Sequence, residues 1–293
     1  MDLSTLKDLG SLPFTTLSAG MLWQVLGPTA KYLGMKGQDL TQKAIDNLER
    51  ILADAWNKLP ADQRDIGEVP PRVLRGIVNE GAFTEDSVAA AYLGGVLASS
   101  KANSLRDDRG VAINSLISRL SVFQLRLHYA SYMAMHYLFQ GTELHIPSDF
   151  AFMNAVQFGT TGLLLSMGFS SEELHDPEFE LQSALTHALY GLNKEELITD
   201  WEFSWSDGFH CSPTPIGIEV FLWANGKGRR NLDYFFDRAF EPVDCESEEI
   251  LLIPGRAVTC KLDNGDEVTV NGFDYACSLG DSQVCKLPSL TNV

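Results

Sequence analysis

The sequence predicts a mainly α, α+β fold, and three observations carry that expectation. Apolar residues recur at three-and-four spacing through most of the first 140 positions, the hairpin-like text WEFSWSDGFHCSP interrupts helical patterns in the middle, and a second hairpin pattern, VTCKLDNGDEVTV, stands near the end. These divide the 293 residues into an N-terminal helical domain over 1–140, a winged-helix-like α+β domain over 141–240 and a small β-hairpin tail over 241–293. With 45% hydrophobic and 10% aromatic residues the chain can bury ordered cores.

Between Met35 and Leu59 the residues Leu40, Ala44, Ile45, Leu48, Ile51, Leu52, Ala55, Trp56 and Leu59 share one helical face. Pro70-Pro71 then opens RVLRGIVNE, which Gly81 can close. Thr84 starts TEDSVAAAYLGGVLASS, with Glu85 and Asp86 near the positive end of the helix dipole. The run Ala89, Ala90, Ala91, Gly94, Gly95, Ala98 is small on most faces and predicts a central helix approached closely by its neighbours. After the polar break NSLRDDRG, residues 111–139 give one or two further helices. Arg126, His128 and His136 interrupt SVFQLRLHYASYMAMHYLF before it reaches the ~20 apolar residues a bilayer requires, so it reads as a core helix with no membrane span. GTTGLLLSMGF, from Gly159, reads as interior.

In the middle region SDFAFMNAVQF and EFELQSALTHALYGLNKEELI predict helices, and the strand text that follows turns at Ser206-Asp207-Gly208. SPTPIGIEVFLWANG then supplies an N-cap at Thr214, a first-turn Pro215, apolar Ile216, Val220 and Trp223 with Phe221 beside them, and an Asn225-Gly226 exit. Helix, helix, hairpin, helix is the order of a winged-helix unit, with the last aromatics closing a small core; an irregular α+β domain fits the same text. In the tail, Asp263-Asn264-Gly265-Asp266 sits between two β-prone runs as a hairpin turn.

A net charge of −17 and a pI near 4.6 oppose a broad electrostatic grip on nucleic acid, which disfavours duplex DNA as a partner. MDLSTLKDLGSLPF lacks the basic start and continuous apolar core of a signal peptide, so a cytoplasmic location is expected. The five cysteines, Cys211, Cys245, Cys260, Cys277 and Cys285, are spaced too widely for a typical structural zinc site and read as reduced, buried residues; no metal is expected. His128 and His136, eight apart on one helix, are candidates to line a polar pocket, with hydrogen-bonded core residues as the plainer reading. No Gly-x-Ser-x-Gly, phosphate-loop or His-Glu-x-x-His motif occurs, so no catalytic residue and no cofactor is expected. GKGRR gathers Lys227, Arg229 and Arg230 against the global charge. It is a candidate docking patch for an anion, RNA or an acidic partner, the alternative being a solvated helix exit.

VPPRVLRGIVNEGAFTEDSVAAAYLGGVLASS, with its Pro-led helix, Glu-Gly break, acidic helix start and Leu-Ala-Ser end, resembles the central block of the Abi-alpha proteins of bacterial abortive infection, and SPTPIGIEVFLWANG is similar to that family's later Thr-Pro-x-Gly helix. The resemblance covers about two thirds of the chain and leaves the cysteine-containing tail without a counterpart. It implies a non-enzymatic anti-phage defence protein that recognises an infection-linked protein or nucleic-acid signal, with a protein partner or phage component. Self-association into a homo-oligomer is compatible with it. Two other readings stand beside it. One is a transcriptional regulator binding DNA through a helix at Ala184–Leu197, where Glu195 and Glu196 beside a single Lys194 match phosphate poorly. The other is an enzyme with an unfamiliar site.

Overall fold

The computed structural model describes residues 19–26, 42–103, 106–141, 157–158, 160–170, 172–175, 181–204, 208–242, 251–253, 258–261, 267–270 and 285–286. The protein is mainly α with a smaller β part. Its described residues fall into two compact units, whose division differs from the expected boundaries near 140 and 240. The first unit takes residues up to Arg119 together with Leu222–Arg230; the second takes Leu120–Phe221 and residues from Asn231 onward.

In the first unit α1 (Ala19–Leu26), α2 (Gln42–Lys58), α3 (Pro71–Gly81), α4 (Ser87–Ser100) and α5 (Gly110–Ile117) build a helical core. The α2 face expected from the sequence is buried through Ile45, Leu48, Ile51, Leu52 and Ala55, and it packs on α4. Met35 to Thr41, the expected beginning of that helix, lies outside the described residues. Every residue from Val88 to Ser100 is buried, as the small-residue run predicts. Its start is two positions later than expected: the Asp86 carboxylate accepts from Ala89 N at 2.9 Å as the N-cap, while the Thr84 hydroxyl donates back to the Glu80 carbonyl at 2.9 Å. A carboxylate at the N-cap also favours the positive end of the dipole, which the Thr84 hydroxyl could not do. Under α4 the Lys58 ammonium is held by Asp54 at 2.6 Å and by the Ala91 carbonyl at 2.7 Å, so this buried cation is both paired and hydrogen-bonded.

In the second unit α6 (Val122–Phe139) begins with a capping box, Ser121 N donating to Gln124 Oε1 at 2.8 Å and Gln124 N to Ser121 Oγ at 3.3 Å. Residues 111–139 are therefore two helices, α5 and α6. Gln157–Phe158, expected to be helical, is instead a strand, β1; residues 148–156 of that expected helix lie outside the described residues. After α7 (Thr160–Ser166), whose Leu163 and Leu164 are buried, comes α8 (Leu181–Lys194). It stops at Lys194, short of the expected Leu197: Glu196 takes φ +58° and Leu197 N donates to the Leu192 carbonyl at 2.8 Å, a left-handed closure of the last turn.

The hairpin β2 (Ile198–Ser204) and β3 (Gly208–Pro213) follows; of its expected turn Ser206 and Asp207 lie outside the described residues, while Gly208 opens β3 opposite Ser204, and α9 (Pro215–Ala224) comes next. Helix, hairpin, helix is thus realised, but the hairpin does not stand alone. β1 pairs with β3, and β4 (Leu251–Ile253) and β7 (Cys285–Lys286) extend an antiparallel sheet in the order β2-β3-β1-β4-β7. The expected tail hairpin forms as β5 (Val258–Lys261) with β6 (Glu267–Val270). The tail therefore supplies both a separate hairpin and two strands of the larger sheet. Against the prediction of one small core closed by α9, the division between units falls inside that helix, so Phe221 belongs to the second core and Trp223 to the first. Phe221 lies about 5.9 Å, ring to ring, from Tyr129, Tyr132 and Phe235. Among the described residues no helix is long and apolar enough to cross a membrane.

Candidate functional site

Helix α9 ends as its sequence requires. Gly226 adopts φ +73°, Lys227 N donates to the Leu222 carbonyl at 2.8 Å and Gly226 N to the Trp223 carbonyl at 3.1 Å, a Schellman closure that turns 227–230 back over the first unit. Ser99 of α4 receives this loop. Its hydroxyl donates to the Trp223 carbonyl at 3.1 Å and accepts from Gly228 N at 3.1 Å, and its carbonyl accepts from Arg229 Nε at 3.0 Å. Gly228 lies so close to the Trp223 ring that a β-carbon there would collide with the indole.

The three basic residues of GKGRR consequently have different roles. Arg230 is exposed. Lys227 is half-buried, and burial first, then the neighbouring charge of Arg230, lowers its pKa from the ordinary lysine value. Arg229 is also exposed, its side chain 39% accessible, but it is tied down within the unit: besides Ser99 it places Nη2 3.3 Å from Asp107 Oδ2.

Asp107 is a site residue that no sequence motif marks. It lies in the polar break NSLRDDRG, and Arg109 grips it with two bonds, Nε to Oδ1 at 2.9 Å and Nη2 to Oδ2 at 3.0 Å. The Arg109 hydrogen bond, aided by the charges of Arg109 and Arg229, holds the Asp107 carboxyl below the usual aspartate range. Next to it Arg72 of α3 pairs with Asp108 at 2.6 Å. Two loops remote in sequence thus bring Arg109 and Arg229 onto one carboxylate. The signal for this was the Arg-Asp-Asp-Arg text itself, which is uninformative until its spatial partner at 227–230 is known.

His128 and His136 are placed together on α6 in the second unit, both fully buried. Their ring nitrogens face backbone: His128 Nε2 is 3.2 Å from the Gly217 carbonyl and His136 Nδ1 is 2.7 Å from the Phe235 carbonyl. Burial pushes the His128 pKa down to about 3 and lowers that of His136 as well, so both rings are neutral near pH 7. His128 also stacks on Tyr132 at 4.4 Å, and the Tyr132 hydroxyl donates to the Leu197 carbonyl and accepts from Thr214 N at 3.0 Å. This geometry ties α6 to the start of α9 and is the hydrogen-bonded core arrangement. Cys211 on β3 is buried with a free thiol whose pKa burial raises, so it lacks the thiolate character of a reactive cysteine. Among the described residues no group of three or more His, Cys, Asp or Glu side chains converges as a metal site would require.

The chain matches no protein-family model, no curated protein and no solved structure.

Proposed function

We propose that this chain is a non-enzymatic component of bacterial defence against phage, of the abortive-infection type, which recognises an infection-linked protein or nucleic-acid signal and restricts growth of the infected host. The observation that supports the reading joins the two stretches resembling Abi-alpha proteins. The α4 end of the first is hydrogen-bonded through Ser99 to Trp223 of the second, and Gly95 sits so close to Ala224 that a β-carbon would collide with the Ala224 carbonyl. A likeness carried by segments distant in sequence gains weight when they build one core, because each then constrains the other's residue choices.

Recognition is assigned to the basic loop, where Lys227, Arg229 and Arg230 offer cationic groups on a chain of net charge −17. Such a contrast favours an acidic partner that meets the loop locally over one that must approach the whole surface. The experiment is plating of phage on a bacterial host that expresses the full chain. Reduced plaque formation, lost in a Lys227→Glu, Arg230→Glu double variant that melts like the parent, is the expected result; undiminished plaque formation across a diverse phage panel would reject the reading.

A further inference from the structure

We propose that the arginine cluster around Asp107 is an anion-exchange site, in which a compact phosphate group on a small ligand such as a nucleotide replaces the Asp107 carboxylate between Arg109 and Arg229. The seat is already assembled. Arg109 presents a two-bond fork from the loop before α5, Arg229 adds a third contact from the loop after α9, and the Ser99 carbonyl fixes the plane of the Arg229 guanidinium through Nε. Planar guanidinium forks suit phosphate oxygens as well as carboxylates, and one already held in place loses little freedom on binding.

Asp107 is the internal stand-in for the ligand. Its side chain is 26% exposed, so water already reaches the carboxylate that the ligand would replace. An external carboxylate would gain nothing over the one present. A phosphate brings nearly two charges and three acceptor oxygens, enough to engage Arg109 and Arg229 together. Arg230 follows Arg229 directly in the chain and is exposed, while Arg72 occupies the adjoining Asp108. Size selects the ligand: the net charge of −17 repels an extended polyanion, whereas a compact dianion senses chiefly the cations within a Debye length of about 8 Å. This inference stands on the cluster's geometry and is independent of the defence reading, since it is tested on purified protein and not by plating.

The test is calorimetric titration of the full chain with inorganic pyrophosphate and, separately, with ATP, at low ionic strength. Saturable one-site binding is expected for both; tighter ATP binding would assign part of the affinity to the nucleoside, and equal binding would assign it to phosphate alone. Asp107→Asn removes the competing charge and is expected to tighten binding by about tenfold, while Arg229→Gln weakens it by at least about tenfold. Arg229→Lys, which keeps the charge without the fork, should fall between them. Lys43→Gln, an exposed cation paired with Glu85, serves as the control and should leave binding unchanged. Absence of saturable heat with both probes, or an Asp107→Asn protein that melts like the parent yet binds no more tightly, would overturn the proposal.

Discussion

Ser99 and Trp223, 124 positions apart in the chain, are joined by a hydrogen bond of 3.1 Å from the Ser99 hydroxyl to the Trp223 carbonyl. The same hydroxyl accepts from Gly228 N, so one side chain satisfies the closing turn of α9 from both sides. Ser99→Ala is expected to leave the buried Gly228 N–H without its partner, the Trp223 carbonyl keeping Gly226 N, and to cost about 1–3 kcal/mol in chemical denaturation, whereas Ser100→Ala, whose hydroxyl bonds within α4 to the Val96 carbonyl at 2.7 Å, should cost less.

Trp223→Ala should be far more damaging. It empties the centre of the first unit, where the ring is fully buried against Gly228 and Gly110, and a loss of roughly 3–5 kcal/mol is expected from the denaturation midpoint. Gly95→Ala tests the same contact from the opposite side by overpacking, at about 1–3 kcal/mol or more, because the atom in the way is the Ala224 backbone carbonyl, which cannot rotate aside.

The buried histidines make stability depend on pH with a definite sign. The folded-state pKa of His128, about 3, lies below the unfolded value near 6.5. The unfolded chain therefore binds the proton first on acidification. The stabilisation is complete above about pH 6.5 and is lost as pH falls toward 3, at up to about 1.4 kcal/mol per pH unit for this one group. His136, lowered for the same reason of burial, adds a contribution of the same sign. Denaturation midpoints of the parent and of His128→Gln, measured from pH 7.5 to 4.5, should converge on acidification; parallel curves would contradict the buried neutral ring.

Much of this was legible beforehand, and the misses have physical causes. Periodicity found α2, α3, α4, α6 and α9 because each places apolar or small residues at helical spacing and is bounded by a cap or breaker that acts locally, such as Thr214, whose hydroxyl accepts from Gly217 N at 3.0 Å. β1 departs from the helical expectation because two residues of strand carry no period; it exists because β3 and β4 flank it on both sides. The same limit hid the Asp107 cluster. Lys227, Arg229 and Arg230 were visible as a basic run, but Arg229's engagement with Asp107 and Ser99 is a long-range event that no local pattern encodes.

Among the three basic residues the structure separates effects that the sequence could not. Arg229→Glu would set a second carboxylate beside Asp107 and abandon the Ser99 carbonyl, so a loss of about 1 kcal/mol in stability is expected. Arg230→Glu, at an exposed position, should melt within about 0.5 kcal/mol of the parent. Thermal unfolding of the two single variants side by side makes the comparison.

The net charge also governs duplex DNA. Mobility-shift titration at physiological salt should show no tight complex, because 22 Lys and Arg stand against 39 Asp and Glu on a chain of net charge −17. Nanomolar, salt-sensitive binding to a defined duplex would revive the regulator reading built on α8.

The most direct measurement of the central claim is growth of a liquid culture expressing the chain after infection at low and at high ratios of phage to cells. Abortive infection sacrifices infected cells, so the account predicts survival of the culture at the low ratio and its collapse at the high ratio, with the expressing strain releasing fewer phage in both. Equal growth curves and equal phage yields with and without the chain, across phages of several types, would contradict it.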